Sequence, residues 1–146
     1  MSMFQSLSIN GSALTAQRLK LDVISSNIAN ANTTRGEFVD GKWVPYRRKM
    51  VELAPNKPST FDTYLKQELN LTGVRINKIT EDQTPFKAVY DPANPDSNEQ
   101  GYVMMPNVDI TKEMVDLMST SRAYEANVTA FNAGKTMLQK ALEIGK

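Results

Sequence analysis

The chain has 146 residues, 40% of them hydrophobic, and its 17 basic and 16 acidic side chains nearly cancel. That is the length of one ordinary domain, with enough apolar material for a core, and the even charge balance speaks against a nucleic-acid partner. There is no Cys and no His, which removes disulfides, thiolate sites, the commonest general base and the commonest metal ligand together.

Residues 1–35 hold no Pro. Leu7, Leu14, Leu21 and Ile28 recur every seven residues, with Gln17, Ile24 and Ala31 at the intervening positions. This predicts an N-terminal helix with an apolar seam. Gly11 inside it costs about 1 kcal/mol against Ala and would mark a bend or a close contact. The run Asn30-Ala31-Asn32-Thr33-Thr34-Arg35-Gly36 ends the helix through side-chain hydrogen bonds and permissive backbone angles. Asn27, Asn30 and Asn32 read either as a solvated helix end or, when buried in a contact, as amides that fix turn and register. The first residues lack the basic region and apolar core of a cleaved secretory signal.

Residues 36–108 hold all seven Pro and read as a β-rich middle. Trp43, Val44, Tyr46, Met50 and Val51 predict one strand, pushed to an edge by Pro45. Val74, Ile76 and Ile79 predict a second, Phe86, Ala88 and Tyr90 a third, and Tyr102 to Met105 a fourth. Pro55 to Asn70 is polar and weakly patterned, with a helical turn expected at 64–69. Asp91 to Asn98 is a loop by composition. Arg47-Arg48-Lys49 reads as a solvated strand edge more readily than as a phosphate patch. Asn94, Asp96, Asn98 and Glu99 resemble part of a calcium loop, but the required Gly is not at its place. The acid pair Glu81-Asp82 has no evident catalytic partner.

Residues 109–146 again hold no Pro. Asp109 is the expected N-cap. Ile110, Met114, Leu117, Ser121, Tyr124, Val128, Phe131, Lys135, Leu138 and Leu142 follow spacings of four and three. Glu113, Asp116, Arg122 and Glu125 fall mostly off this seam. The architecture expected is α+β: long antiparallel N- and C-terminal helices, coiled-coil-like, with a small β-rich middle. The assembly seam comprises Leu7, Leu14, Leu21, Ile28, Ile110, Met114, Leu117, Tyr124, Val128, Phe131, Leu138 and Leu142. A two-helix hairpin covers only one stripe per helix. Val23, Met118, Met137, Ala141 and Ile144 lie outside it and call for helices from other chains. No run reaches the roughly 18–20 apolar residues of a membrane span. No catalytic residue, cofactor or small-molecule substrate is expected. A soluble coiled-coil binding module is the alternative that the pattern leaves open.

Two stretches carry a resemblance. Ser12-Ala13-Leu14-Thr15-Ala16-Gln17-Arg18 with Ser25 to Thr34 resembles the N-terminal signature of bacterial flagellar rod and hook proteins. Gly101-Tyr102-Val103 through Pro106-Asn107-Val108-Asp109, Glu113 to Leu117, and Ser121 to Asn127 resemble the C-terminal one. Pro45 to Lys49, Val89 to Pro92 and Asn94-Pro95, with the short middle, point to the proximal rod. The resemblance implies a structural subunit of the basal-body rod, partnered by copies of itself and by other rod proteins. It implies export through the flagellar type III apparatus without a cleaved signal. It also implies terminal helices paired in the inner wall of a torque-transmitting tube.

Overall fold

The computed structural model describes residues 3–56 and 73–144; the helical turn expected at 64–69 lies outside them. Helix α1 is Met3–Ala29 and helix α2 is Ile110–Ile144. Between them lie strands β1 (Glu37–Val39), β2 (Lys42–Val44), β3 (Lys49–Pro55), β4 (Val74–Glu81), β5 (Lys87–Tyr90) and β6 (Tyr102–Met105). The chain is therefore α+β, with a helix at each end and small β segments in the middle. The 35 residues of α2 extend about 52 Å at 1.5 Å per residue.

Local chemistry sets the ends of these elements. The Asp109 carboxylate accepts from the N–H of Thr111 at 3.0 Å and caps α2 as predicted. At the end of α1, the Asn30 amide donates to the Ser26 carbonyl at 2.9 Å and accepts from the Thr33 hydroxyl at 3.2 Å. Gly11 has nothing within 4 Å of where a side chain would begin, so neither a close contact nor a packing reason explains it.

The β segments form three separate two-stranded sheets, β1-β2, β3-β4 and β5-β6. In the first, Glu37 faces Val44 and Val39 faces Lys42, both antiparallel. Asp40 and Gly41 close it with φ of 49° and 81°, the paired positive angles of a two-residue hairpin turn. The third sheet pairs Lys87 with Met105 and Tyr90 with Tyr102, also antiparallel. One strand was expected across 43–51. Pro45 instead ends β2, because it has no N–H to give a ladder, and β3 begins anew at Lys49 in a different sheet.

Compactness follows a different division from the three stretches of pattern. One unit gathers Met1–Lys20, Glu52–Lys78 and Ser119–Lys146; the other gathers Leu21–Val51 and Ile79–Met118. In the first, the Ser12 hydroxyl donates to the Ile9 carbonyl at 2.7 Å and accepts from the Val74 N–H at 3.1 Å, tying α1 to β4. In the second, Val23, Ile24, Ala31, Val103 and Val108 are buried. Ala16 is the buried apolar residue of the first unit among the described residues.

Candidate functional site

The centre of the second unit is polar. Asn27, on the last turn of α1, is 1% exposed and uses all four hydrogen-bonding positions of its amide. Its Nδ2 donates to the Lys49 carbonyl at 2.9 Å and to Glu113 Oε2 at 3.0 Å. Its Oδ1 accepts from the Tyr46 hydroxyl at 3.0 Å and from the Lys49 N–H at 2.9 Å. Glu113, on the first turn of α2, is also 1% exposed. Its second oxygen accepts from Arg48 Nε at 2.6 Å.

Arg48 extends the cluster. Its guanidinium lies 3.5 Å from Asp82 and 3.8 Å from Asp116. The Arg48 backbone N–H donates to Asn107 Oδ1 at 2.8 Å, and the Asn107 amide donates in turn to the Asp82 backbone carbonyl and to Thr84 Oγ1. Burial disfavours the charge on Arg48, but the hydrogen bond and charge of Glu113, with Asp82, more than offset it and raise the guanidinium pKa. The Thr84 N–H, with its hydroxyl and Arg48, holds the Asp82 carboxyl below the usual carboxylate range against the pull of desolvation. Among the described residues no buried side-chain polar atom lacks a partner.

Two readings from sequence are corrected here. Arg48 is no solvated edge: it lies just before β3 and turns inward to a carboxylate. Its neighbour Arg47 stacks 4.5 Å over the Phe86 ring. Glu113, placed off the seam by its charge, is among the most buried side chains. Neither signal is local, because their partners lie 65 residues apart. In the 91–101 loop, Asp96 and Asn98 are engaged by residues outside the loop. Asp96 accepts from Arg35 Nε and from the Thr34 hydroxyl, each at 2.8 Å. Asn98 accepts from the Tyr102 N–H at 2.9 Å.

The predicted seam residues fall into two groups. Leu7, Leu14, Leu21 and Ile28 on α1 are half-buried, as are Leu117, Tyr124, Val128, Phe131 and Leu138 on α2. Ile110, Met114 and Leu142 are exposed, Leu142 at 74%. At the start of α2 the buried positions are Glu113 and Thr120 instead. Of the three amides, Asn27 is buried, Asn30 is half-buried and Asn32 is exposed. Leu7 meets α2 within the first unit: a side-chain carbon added at Gly134 would lie 3.4 Å from Leu7 Cδ2.

The chain matches two family descriptions, "Flagella basal body rod protein" over residues 7–35 and "Flagellar basal body rod FlgEFG protein C-terminal" over residues 99–144. It is 56% identical to the flagellar basal-body rod protein FlgC of Bacillus subtilis, over the whole of both chains. It is 45% identical to that of Borreliella burgdorferi, over 99% of this chain and 98% of the relative. With that of Salmonella typhimurium the identity is 40% over the whole of both chains. The chain belongs to the FlgC family of flagellar basal-body rod proteins. The polar cluster draws on both matched stretches, through Asn27 in one and Asn107 and Glu113 in the other. Arg48 and Asp82 come from the segment between.

Proposed function

We propose that the chain is a structural subunit of the flagellar basal-body rod, built into a helical tube by packing of its terminal helices. The observation that carries this reading is identity to FlgC relatives over the full chain. The family is one of structural rod proteins, and its members' name places the subunit in the basal body of the flagellum. Its partners on this reading are copies of itself, other rod proteins and the flagellar type III export apparatus. The chain then divides into two terminal stretches that pair through their helices, 1–35 and 109–146, and the long connection of residues 36–108 between them.

Antiparallel, coiled-coil-like pairing of α1 and α2 is supported by a contact within each unit. Leu7 lies against Gly134 in one and Asn27 bonds Glu113 in the other. The faces left over supply the contacts between subunits. Ala126, Ala130, Ala133, Met137, Ala141 and Ile144 are all exposed and follow spacings of four, three, four, four and three. Apolar residues in that rhythm fit the groove of another helix. One face of a subunit meeting a different face of the next generates an open tube. Close-packed helices compress little, which gives the stiffness that torque requires.

Leu142→Asp tests the reading at a position that is 74% exposed in the free chain. Its circular dichroism should match that of the unsubstituted chain, while cells carrying it should build no hook and fail to swim. Phe131→Asp should fail in the same way. Normal swimming with both variants would refute the role of the helices in assembly.

A further inference from the structure

We propose that the buried cluster of Asn27, Arg48 and Glu113 is a register device, selecting which turn of α2 faces α1 in the second unit. The need for one comes from the apolar pattern itself. Leu7, Leu14, Leu21 and Ile28 recur every seven residues, and so do Leu117, Tyr124, Phe131 and Leu138. After a slide of one heptad, about 10 Å along the axis, such seams again oppose large apolar side chains. Apolar packing tolerates exchanges of this kind, so it discriminates weakly between the two alignments.

The helix column that begins with Glu113 is different. It continues as Thr120, Asn127 and Gly134, and only its first member carries a charge. Thr120 is 3% exposed and occupies the same face one heptad on. A slide that set Thr120 in place of Glu113 would take an acceptor from Asn27 Nδ2 and the nearest carboxylate from Arg48. Buried groups left without partners are strongly disfavoured. A slide the other way would bring up Pro106, which cannot extend the helix. Asn107, just before α2, and Asp116, on its second turn, add to the same alignment through their contacts with Arg48. Tyr46, Lys49 and Asp82 belong to the middle segment and stay in place whichever turn of α2 is opposite. Asp116 lies 3.8 Å from the Arg48 guanidinium but is half exposed, so its share is the smaller one. One polar position within an apolar helix seam is an established way of fixing alignment.

The chain has no Cys, so spin labels can be placed at introduced cysteines alone. Ser25 and Met118, both exposed and both in the second unit, suit the purpose. The parent chain should give one distance population. The triple variant Asn27→Leu, Arg48→Met, Glu113→Leu should keep its helix content and show a second, slipped population of about a third or more. The exchange Glu113→Thr with Thr120→Glu moves the carboxylate one heptad and should transfer most of the population to the slipped distance. It also decides the matter if the triple variant does not fold. A distance unchanged by the exchange, or an exchange variant that loses its helices, overturns the proposal. The measurement is made on the free chain, so its outcome is separate from that of rod assembly.

Discussion

Asn27 and Glu113 show how much a few polar side chains can hold. Glu113→Ala would leave Arg48 inside the unit without its main counter-charge, and removing one partner of a buried pair costs about 3–5 kcal/mol. Urea denaturation should read a loss of about 3 kcal/mol, while Glu113→Gln, which keeps an acceptor for Asn27, should lose less. Acid should also weaken the fold. Asp82 and Asp96 are held below the ordinary carboxylate range, Asp82 chiefly by the Thr84 N–H and Asp96 chiefly by the hydrogen bond from Arg35. A carboxyl depressed in the folded state stabilises above its unfolded pKa of about 3.9 and loses that contribution as pH falls through the folded value. Stability should thus drop below roughly pH 4. Asp82→Asn should make that drop shallower, as read from denaturation midpoints between about pH 5 and pH 2. Asn27 stood out in the sequence as an amide that fixes register when buried, but its charged partners did not. A charged residue in a strand or helix looks solvated until its distant partner is known, and Arg48 and Glu113 find each other only in the fold.

Among elements, the two helices were legible nearly to the residue. Their periodicity is written into contiguous sequence, and Asp109 marks the start of α2 in its own chemistry. The strands were less so. The single strand expected across 43–51 divided because Pro45 ends one ladder, and β1 was missed although Asp40-Gly41 is a strong hairpin signal. The glycines give a paired test of local constraint. A side-chain carbon at Gly36 would lie 2.7 Å from the Tyr46 nitrogen and 2.8 Å from its Cα. That backbone is itself tied down, since the Tyr46 N–H donates to the Thr33 carbonyl at 3.1 Å. Gly36→Ala should therefore destabilise by about 1–3 kcal/mol, in the range of other overpacking changes. Gly11→Ala, in open space inside α1, should stabilise by about 0.5–1 kcal/mol. Melting curves of the two variants should move in opposite directions.

For the whole chain, the sequence disclosed the need for partners more clearly than it disclosed the site. Of the surplus apolar residues counted from spacing alone, Met118, Met137 and Ile144 are 56%, 62% and 86% exposed, whereas Val23 is buried within the chain itself. What spacing did not separate is seam from flank: Ile110 and Met114 continue the rhythm of Leu117, yet the inward positions there belong to Glu113 and Thr120. The residues on the outer faces have a chemical consequence of their own. Met104, Met114, Met118 and Met137 are 49%, 53%, 56% and 62% exposed, in a chain without a single thiol to intercept an oxidant. Conversion to the sulfoxide turns a pliable apolar side chain into a polar one. Peroxide should therefore spoil free subunits for polymerisation while sparing finished rods wherever a neighbour covers the sulfur. The pattern of methionines spared would be a chemical footprint of the assembled rod, recorded by the subunit itself.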